Sequence, residues 1–357
     1  MKTRTFIFGT VLGALIGQFS TASAAPAAIA AKDQPARTRI VMLSDGGTFG
    51  DHSFNQNCRE GLEEFIYSGA PIYVQFFETV EDIPFEKHLA AFAERNYRII
   101  IGIGYLMGPS IQKVAAKYPR TYFISVDGEM DSIPQNVQLM TYCVDQCAYL
   151  AGHLAAAWAD LKDPENPAVG YVAGKNVSSV QPFLAGYRAG VENYNRLHQK
   201  NVQVSGHFVG SFDDPKRGHA LAIRLLDKGA DVIFGVAGQS GVGAIQAVKE
   251  RGKWAIGVDT DQYYTLLDLQ DVLLTSCLKR MDRTVHQAVG RALDNQFQGG
   301  IRYEGTLANH GVGLAPFHDY EDEIPAAISD ELADIQRRLI AGTLTTGWDP
   351  SVPFKKE

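Results

Sequence analysis

The chain has 357 residues, 45% of them apolar and 20% charged, and 33 Lys and Arg against 40 Asp and Glu give a net charge of −7. That length predicts two domains. The acidic balance and the lack of any Lys/Arg cluster argue against nucleic acid or an anionic membrane surface as partner.

Lys2 and Arg4 precede an apolar run over 6–17, and Thr21-Ala22-Ser23-Ala24-Ala25 offers an A-x-A cleavage site. This is the pattern of a secretory signal peptide, residues 1–24, cleaved after Ala24. The run is too short to cross a bilayer, which needs about 20 apolar residues. An uncleaved amphipathic start is the alternative. No Cys follows the run and no Arg-Arg pair marks the twin-arginine route, so an exported chain without a membrane anchor is expected. Residues 25–37 are rich in Ala and Pro and read as a flexible lead-in. Loss of Lys2 and Arg4 would take the net charge from −7 to −9.

Ile40-Val41-Met42-Leu43 reads as a buried parallel strand. Asp45 sits at its end, and Gly46, Gly47 and Gly50 let the backbone turn tightly. Ser53 and Gln56 form an S-x-x-Q capping box, which predicts a helix from Phe54 to about Tyr67. A carboxylate, an aromatic and an amide are thereby set at the carboxyl end of a strand, where open α/β sheets bind ligands. A capped helix after a polar loop, with no ligand, is the alternative.

Further strands are predicted over 72–77, 97–103, 121–126 and 136–142, with helices over 83–95 and 110–117. The pattern then restarts with an Ala-rich helix over 145–161 and a turn over 163–167. Strands follow over 168–172, 202–209, 231–236, 254–258 and, last, 272–279. Helices fall over 181–197, 214–228, 243–251 and, last, 281–297. Strands alternating with helices imply parallel βαβ units, here in two successive doubly wound halves.

Cys143 and Cys147 are close enough to pair if the backbone between them bends, but connectivity is not readable from spacing, and buried free thiols are equally open for these two, Cys58 and Cys277. Gly102, Gly104 and Gly108 imitate a dinucleotide fingerprint, though at the third βα turn rather than the first. The loop from Gly235 to Gly243 can present backbone N–H groups, but lacks the Lys-Ser/Thr of a phosphate loop and the spacing of a nucleophile elbow. The nine His residues are scattered and read as surface or core residues. No metal and no cofactor is expected. Asp45, Asp127 and Asp259 end three strands and Lys279 a fourth, while Phe54 and Phe183 each open a helix after a polar loop. Such aromatics are commonly staples or core residues; two facing one cleft would sandwich a planar ring. Carboxylates beside them can accept from hydroxyls or ring N–H groups without catalysis.

Asp45-Gly-Gly-Thr-Phe-Gly-Asp51-His-Ser53-Phe54-Asn55-Gln56 resembles the D-x-G-x-x-x-D-x-S-F-N-Q opening of the basic membrane protein family, the purine-nucleoside-binding components of ABC importers. Tyr149-Leu-Ala-Gly152, Phe183-Leu-Ala-Gly-Tyr-Arg-Ala-Gly190, Gly210-Ser-Phe-Asp-Asp-Pro215, Ala237-Gly-Gln-Ser-Gly241, Ile256-Gly-Val-Asp-Thr-Asp-Gln262 and Leu274-Thr-Ser-Cys-Leu-Lys279-Arg280 follow in the family's order. The resemblance spans about residues 38–300. It implies an α/β, type I periplasmic-binding-protein fold: two Rossmann-like lobes, a hinge and a ligand cleft between them. Phe54 and Phe183 would stack on the base and Asp127 would hold its edge. Asp259, Lys279 and the Gly238 backbone would hold the ribose hydroxyls, and Asp45 and Asn55 match the ligand loop. The chain departs from the family where Cys143 and Cys147 replace acidic residues and where the lipid-anchored N-terminal Cys is lacking.

The expectation is therefore a monomeric periplasmic binding protein, not an enzyme, that passes a purine nucleoside to an ABC permease. Lobe one is expected over 38–142 plus 281–300, lobe two over 143–280 plus 301–350. The alternatives are a receptor for a free purine base, riboflavin or a sugar, a nicotinamide-dependent oxidoreductase using the Gly102/Gly104 loop, and a nucleoside hydrolase.

Overall fold

A computed structural model of the chain describes residues 37–79, 83–352 and 354. The expected signal segment, its cleavage site and all but the last residue of the lead-in lie outside the described residues. The first half runs β1 (Thr38–Ser44), α1 (Phe54–Tyr67), β2 (Ile72–Glu78), α2 (Phe85–Glu94), β3 (Ile99–Ile103), α3 (Gly108–Ala115), β4 (Tyr122–Val126) and β5 (Val137–Tyr142). The second runs α4 (Val144–Lys162), β6 (Ala168–Ala173), α5 (Gln181–His198), β7 (Gln203–Phe208), α6 (Pro215–Leu226), β8 (Val232–Val236), α7 (Gln239–Glu250), β9 (Trp254–Asp259), α8 (Gln262–Thr265) and β10 (Leu273–Lys279). The chain closes with α9 (Met281–Leu293), β11 (Ile301–Gly305), β12 (Val312–Leu314) and α10 (Ala326–Ile340).

Two six-stranded sheets result, in the orders β11-β5-β4-β3-β1-β2 and β12-β10-β9-β8-β6-β7. All pairings are parallel except β10 with β12. Helices cover both faces, so β3 and β8 are buried at every residue and read as continuous apolar runs. The Ala-rich composition of α4 has a packing cause. A Cβ on Gly152 would stand 1.9 Å from Tyr187 O, and one on Gly190 would stand 2.0 Å from Tyr149 O, so α4 and α5 touch backbone to backbone.

The chain passes between the sheets three times: after β5, after β10 and between β11 and β12. Of the segment 301–350, expected with the second half, only its first five residues depart from that placement, while β12 pairs with β10 in the second sheet. Residues 301–305 pair with β5 in the first sheet, from Ile301 opposite Gln138 to Gly305 opposite Tyr142. Residues 272–279 and 281–297 were expected to be the last elements, yet β11, β12 and α10 follow. β11 is a half-exposed edge strand with no apolar run to announce it. α10 buries only Leu332, Ile335 and Leu339. Helix α7 begins at Gln239, not at 243, because the glycines after Gly238 form its first turn.

All four cysteines are free. Cys143 precedes α4, and the Cys147 thiol, one turn in, donates to Val144 O at 3.2 Å. Among the described residues, no helix is long and apolar enough to cross a membrane.

Candidate functional site

The loop that joins β1 to α1 is held by Asp51, not by the capping box the sequence suggested. The Asp51 carboxylate accepts from the backbone N–H groups of Ser53, Asn55 and Gln56 at 3.0, 2.9 and 3.0 Å. It fills the place at the helix N-terminus that Ser53 was expected to take. The Gln56 side chain donates to Glu60 instead, at 3.0 Å. Buried Asn55 braces the loop by donating from Nδ2 to Gly46 O at 3.0 Å.

Ser53 is thereby released for another partner. Its hydroxyl donates to Asp259 at 2.6 Å, from the first half to the second. Beside it, the Lys279 ammonium pairs with the Asp127 carboxylate, again across the two halves, with side-chain exposures of only 3% and 8%. The ammonium lies 5.0 Å from the centroid of the Phe54 ring and 5.2 Å from that of Tyr142, within reach of a cation–π contact. The sequence placed Lys279 with Asp259; its ion-pair partner is Asp127, and Asp259 takes the Ser53 hydroxyl. Asp127 and Asp259 both adopt left-handed backbone, with φ of 60° and 68°. Non-glycine residues do so at a cost, and such strain collects at functional sites.

Asp45 completes the acidic group. Its carboxylate accepts from Leu106 N–H at 3.0 Å. Gly104, at φ 109°, lies against it so closely that a Cβ there would stand 2.0 Å from Asp45 Cγ. This answers the dinucleotide reading. The Gly104 face that would receive a pyrophosphate is filled by a carboxylate, and Cβ atoms on Gly102 and Gly108 would strike Ile111 and Glu129 O at 2.6 and 2.2 Å. These glycines serve packing.

Burial pushes the Asp45 carboxyl up to about 6; the Leu106 N–H opposes the rise and Asp127 adds to it. Burial also pushes Asp259 up to about 6, against the pull of Lys279 and the Ser53 hydroxyl and with help from Asp51 and Asp127. Asp51 is raised by burial despite its three N–H donors. Carboxylates thus outnumber the ammonium groups acting on them, Lys279 and, at Asp45, Lys175. Such a group demands donors: hydroxyls, ring N–H groups or amines.

The remaining expected residues are placed differently. Phe183 stands at the opening of α5, is 2% exposed and meets Phe234 edge-on at 6.1 Å between centroids within the second core. Gly238 precedes α7 with φ 54°, and its neighbour Gln239 donates to Gly50 O at 3.3 Å. Gln262 Nε2 and Thr265 Oγ1 both reach His52 O, at 3.0 and 3.1 Å, and Ser178 donates to Glu129. The loop over 45–56 is therefore clasped by α7 through Gln239, by α8 through Gln262 and Thr265, and by the end of β9 through Asp259. Ser53, Asp51, His52, Gln262 and Tyr142 were not assigned from sequence. The Asp two residues before a helix-opening Ser carries a local signal for Asp51. Gln262, 210 residues from its partner, carries none.

Comparisons with known proteins agree with this architecture. Residues 38–343 match the family model Bmp, described as ABC transporter substrate-binding protein PnrA-like. A Lactococcus lactis protein named ABC transporter nucleoside-binding protein BmpA is 26% identical over 326 residues, covering 86% of this chain and 88% of that one. The CD4+ T-cell-stimulating antigen of Listeria monocytogenes is 28% identical over 366 residues, covering 96% and 98%. A solved ABC transporter solute-binding protein from Aeropyrum pernix superposes with a TM-score of 0.80 at 27% identity, over 87% of this chain and 94% of that one. A periplasmic solute-binding protein from Actinobacillus succinogenes, solved with D-allose, superposes at 0.61 and 15% identity over 80% of this chain and all of that one, which bears on the fold alone. The two α/β sheets are those of the type I periplasmic-binding-protein fold.

Proposed function

This chain belongs to the Bmp family, the PnrA-like ABC transporter substrate-binding proteins, and from that premise we propose that it captures a purine nucleoside between its two halves and delivers it to an ABC permease. The supporting observation is the Asp127–Lys279 pair beneath the Phe54 ring, with Asp259 beside it: donors and acceptors from both halves meet next to an aromatic face. A relative's name, nucleoside-binding protein, points the same way.

In this reading Phe54 stacks on the base and Asp127 accepts from a ring N–H. Asp259 accepts from the vicinal ribose hydroxyls, and Lys279 and the Gly238 backbone donate to the same oxygens. Asp45 and Asn55 shape the ligand loop. Phe183 opens α5 as Phe54 opens α1, and is the candidate for the other face of the base. Lobe one comprises 38–142 with 281–305 and lobe two 143–280 with 306–350, closing as a hinged pair on the ligand. The protein works as an exported monomer.

The test is identification of what the protein carries. Purified protein is denatured and its small molecules are read by mass spectrometry, followed by calorimetry with guanosine, inosine and adenosine against guanine, riboflavin and ribose. A nucleoside bound at least tenfold tighter than its free base supports the proposal. Yellow protein carrying riboflavin, or equal affinity for ribose alone, overturns it.

A further inference from the structure

Helices α4, α5 and α10 bring three side chains together on the second half, and the functional reading above uses none of them. His153 Nε2 and His198 Nε2 lie 2.8 and 3.0 Å from the same Glu331 oxygen. One ligand atom from each residue lies within 4.8 Å of the other two, the one such trio among the described residues. His153 is fully buried, whereas the His198 and Glu331 side chains are 31% and 29% exposed, so the trio opens to solvent on one side. The sequence offered no metal-binding spacing, because each residue comes from a different helix.

We propose that His153, His198 and Glu331 form a binding site for a divalent transition-metal ion, zinc being the reference case. Two imidazoles and a carboxylate with one side left to water are the donor set of three-ligand zinc sites. Ligand atoms at about 2.0–2.2 Å from zinc stand roughly 3.3–3.6 Å apart in a tetrahedron, so the two His–Glu331 separations of 2.8 and 3.0 Å need open by only about half an ångström. The two imidazoles are already oriented. The Tyr194 ring stacks on His198 at 4.3 Å and meets His153 edge-on at 5.4 Å. Its hydroxyl is tied to Asp160 at 2.8 Å.

A specific rearrangement accompanies loading. Arg196 donates to Asn193 Oδ1 at 2.7 Å, which turns the Asn193 Nδ2 toward His153 Nδ1, 3.1 Å away. That orientation leaves the His153 proton on Nε2, donated to Glu331. For Nε2 to bind a metal the proton must sit on Nδ1, and Asn193 must turn its oxygen toward it. Arg196 is exposed, so its freed donor returns to water. A carboxylate at position 193 would accept that Nδ1 proton without turning, as the outer partners of metal-bound histidines do. The bound ion would fasten α10 to α4 and α5, a consequence for stability rather than for the nucleoside site.

The experiment is titration of chelator-stripped full chain with zinc chloride by calorimetry, and with cobalt(II) by visible absorption. Expected are one equivalent bound with micromolar or tighter Kd, the intense d–d bands of four-coordinate cobalt, and a zinc-dependent rise in unfolding temperature. His198→Ala and Glu331→Gln should each remove all three, and Asn193→Asp should tighten zinc binding by about tenfold. Glu331→Gln changes one atom and decides the matter if His198→Ala does not fold. Zinc affinity unchanged in Glu331→Gln, or no binding to the wild-type chain at millimolar zinc, overturns the site.

Discussion

The Ser53 hydroxyl donates to the Asp259 carboxylate at 2.6 Å across 206 residues of sequence, and this short bond ties the β1–α1 loop of one half to the end of β9 in the other. It exists because Asp51 takes over the helix N-terminus and leaves Ser53 free to reach across. In the proposed site, a ligand hydroxyl presented to Asp259 would compete with the Ser53 hydroxyl already there.

The first prediction concerns pH. Burial carries the Asp259 carboxyl from its ordinary 3.8 to about 6, against the pull of Lys279 and Ser53. Between those values the folded chain holds a proton that the unfolded chain has lost, so stability falls as pH rises through that window. The contribution is fully present below 3.8 and lost above 6, and amounts to roughly 3 kcal/mol. Asp259→Asn should therefore match the wild type near pH 4 in urea unfolding and exceed it by up to about that amount at pH 7. Equal pH slopes for the two proteins would contradict the assignment.

The second concerns the two phenylalanines. Phe54 is only partly buried and lies under the Lys279 ammonium, whereas Phe183 is 2% exposed in the second core. Phe54→Ala should weaken nucleoside binding by about 5- to 150-fold, the worth of one stacked base, with little change in unfolding of the ligand-free protein. Phe183→Ala should in addition cost about 3–5 kcal/mol of stability, the range for emptying a buried aromatic site. Calorimetry and urea unfolding of both variants check this pair.

The third separates base from sugar. Asp259→Ala should lower guanosine affinity about 10- to 150-fold, the value of charge-assisted hydrogen bonds to hydroxyls, and leave weak guanine binding nearly intact. Asp127→Ala should weaken both ligands. It should also cost about 3–5 kcal/mol of stability, because Lys279 is left buried without its partner. Equal losses for guanosine and guanine in Asp259→Ala would remove Asp259 from the ribose site.

The fourth uses Gly104. At φ 109° with Asp45 Cγ only 2.0 Å from any added Cβ, Gly104→Ala must displace the Asp45 carboxylate and strain the backbone. A loss of about 2–4 kcal/mol in stability is expected. A variant as stable as the wild type would mean that the β3–α3 turn does not hold Asp45 in place.

Much of the fold was legible because strands buried on both faces announce themselves as apolar runs, as at Ile99-Ile100-Ile101, and because Asp and Gly punctuate their ends. The strand-end residues Asp45, Asp127, Asp259 and Lys279 could be found for the same reason. Their pairing could not. Which carboxylate holds Lys279 depends on how two sheets face each other, and nothing local distinguishes Asp127 from Asp259. Ser53 misled for a subtler reason: a correct helix start was credited to the wrong side chain. Two further features escaped for want of a pattern. β11 is an exposed edge strand, and the His153–His198–Glu331 trio depends on three helices meeting.

The position of β11 has a consequence for how the protein is made. Until residues 301–305 leave the ribosome, β5 presents an open edge, and the first sheet cannot be completed although its other five strands are finished by residue 142. Unpaired edges invite wrong partners. The nascent first half must therefore wait, unfinished, through synthesis of the entire second half. Chains truncated anywhere between 142 and 300 should be prone to aggregation even though they contain every strand end proposed for the first half's share of the site.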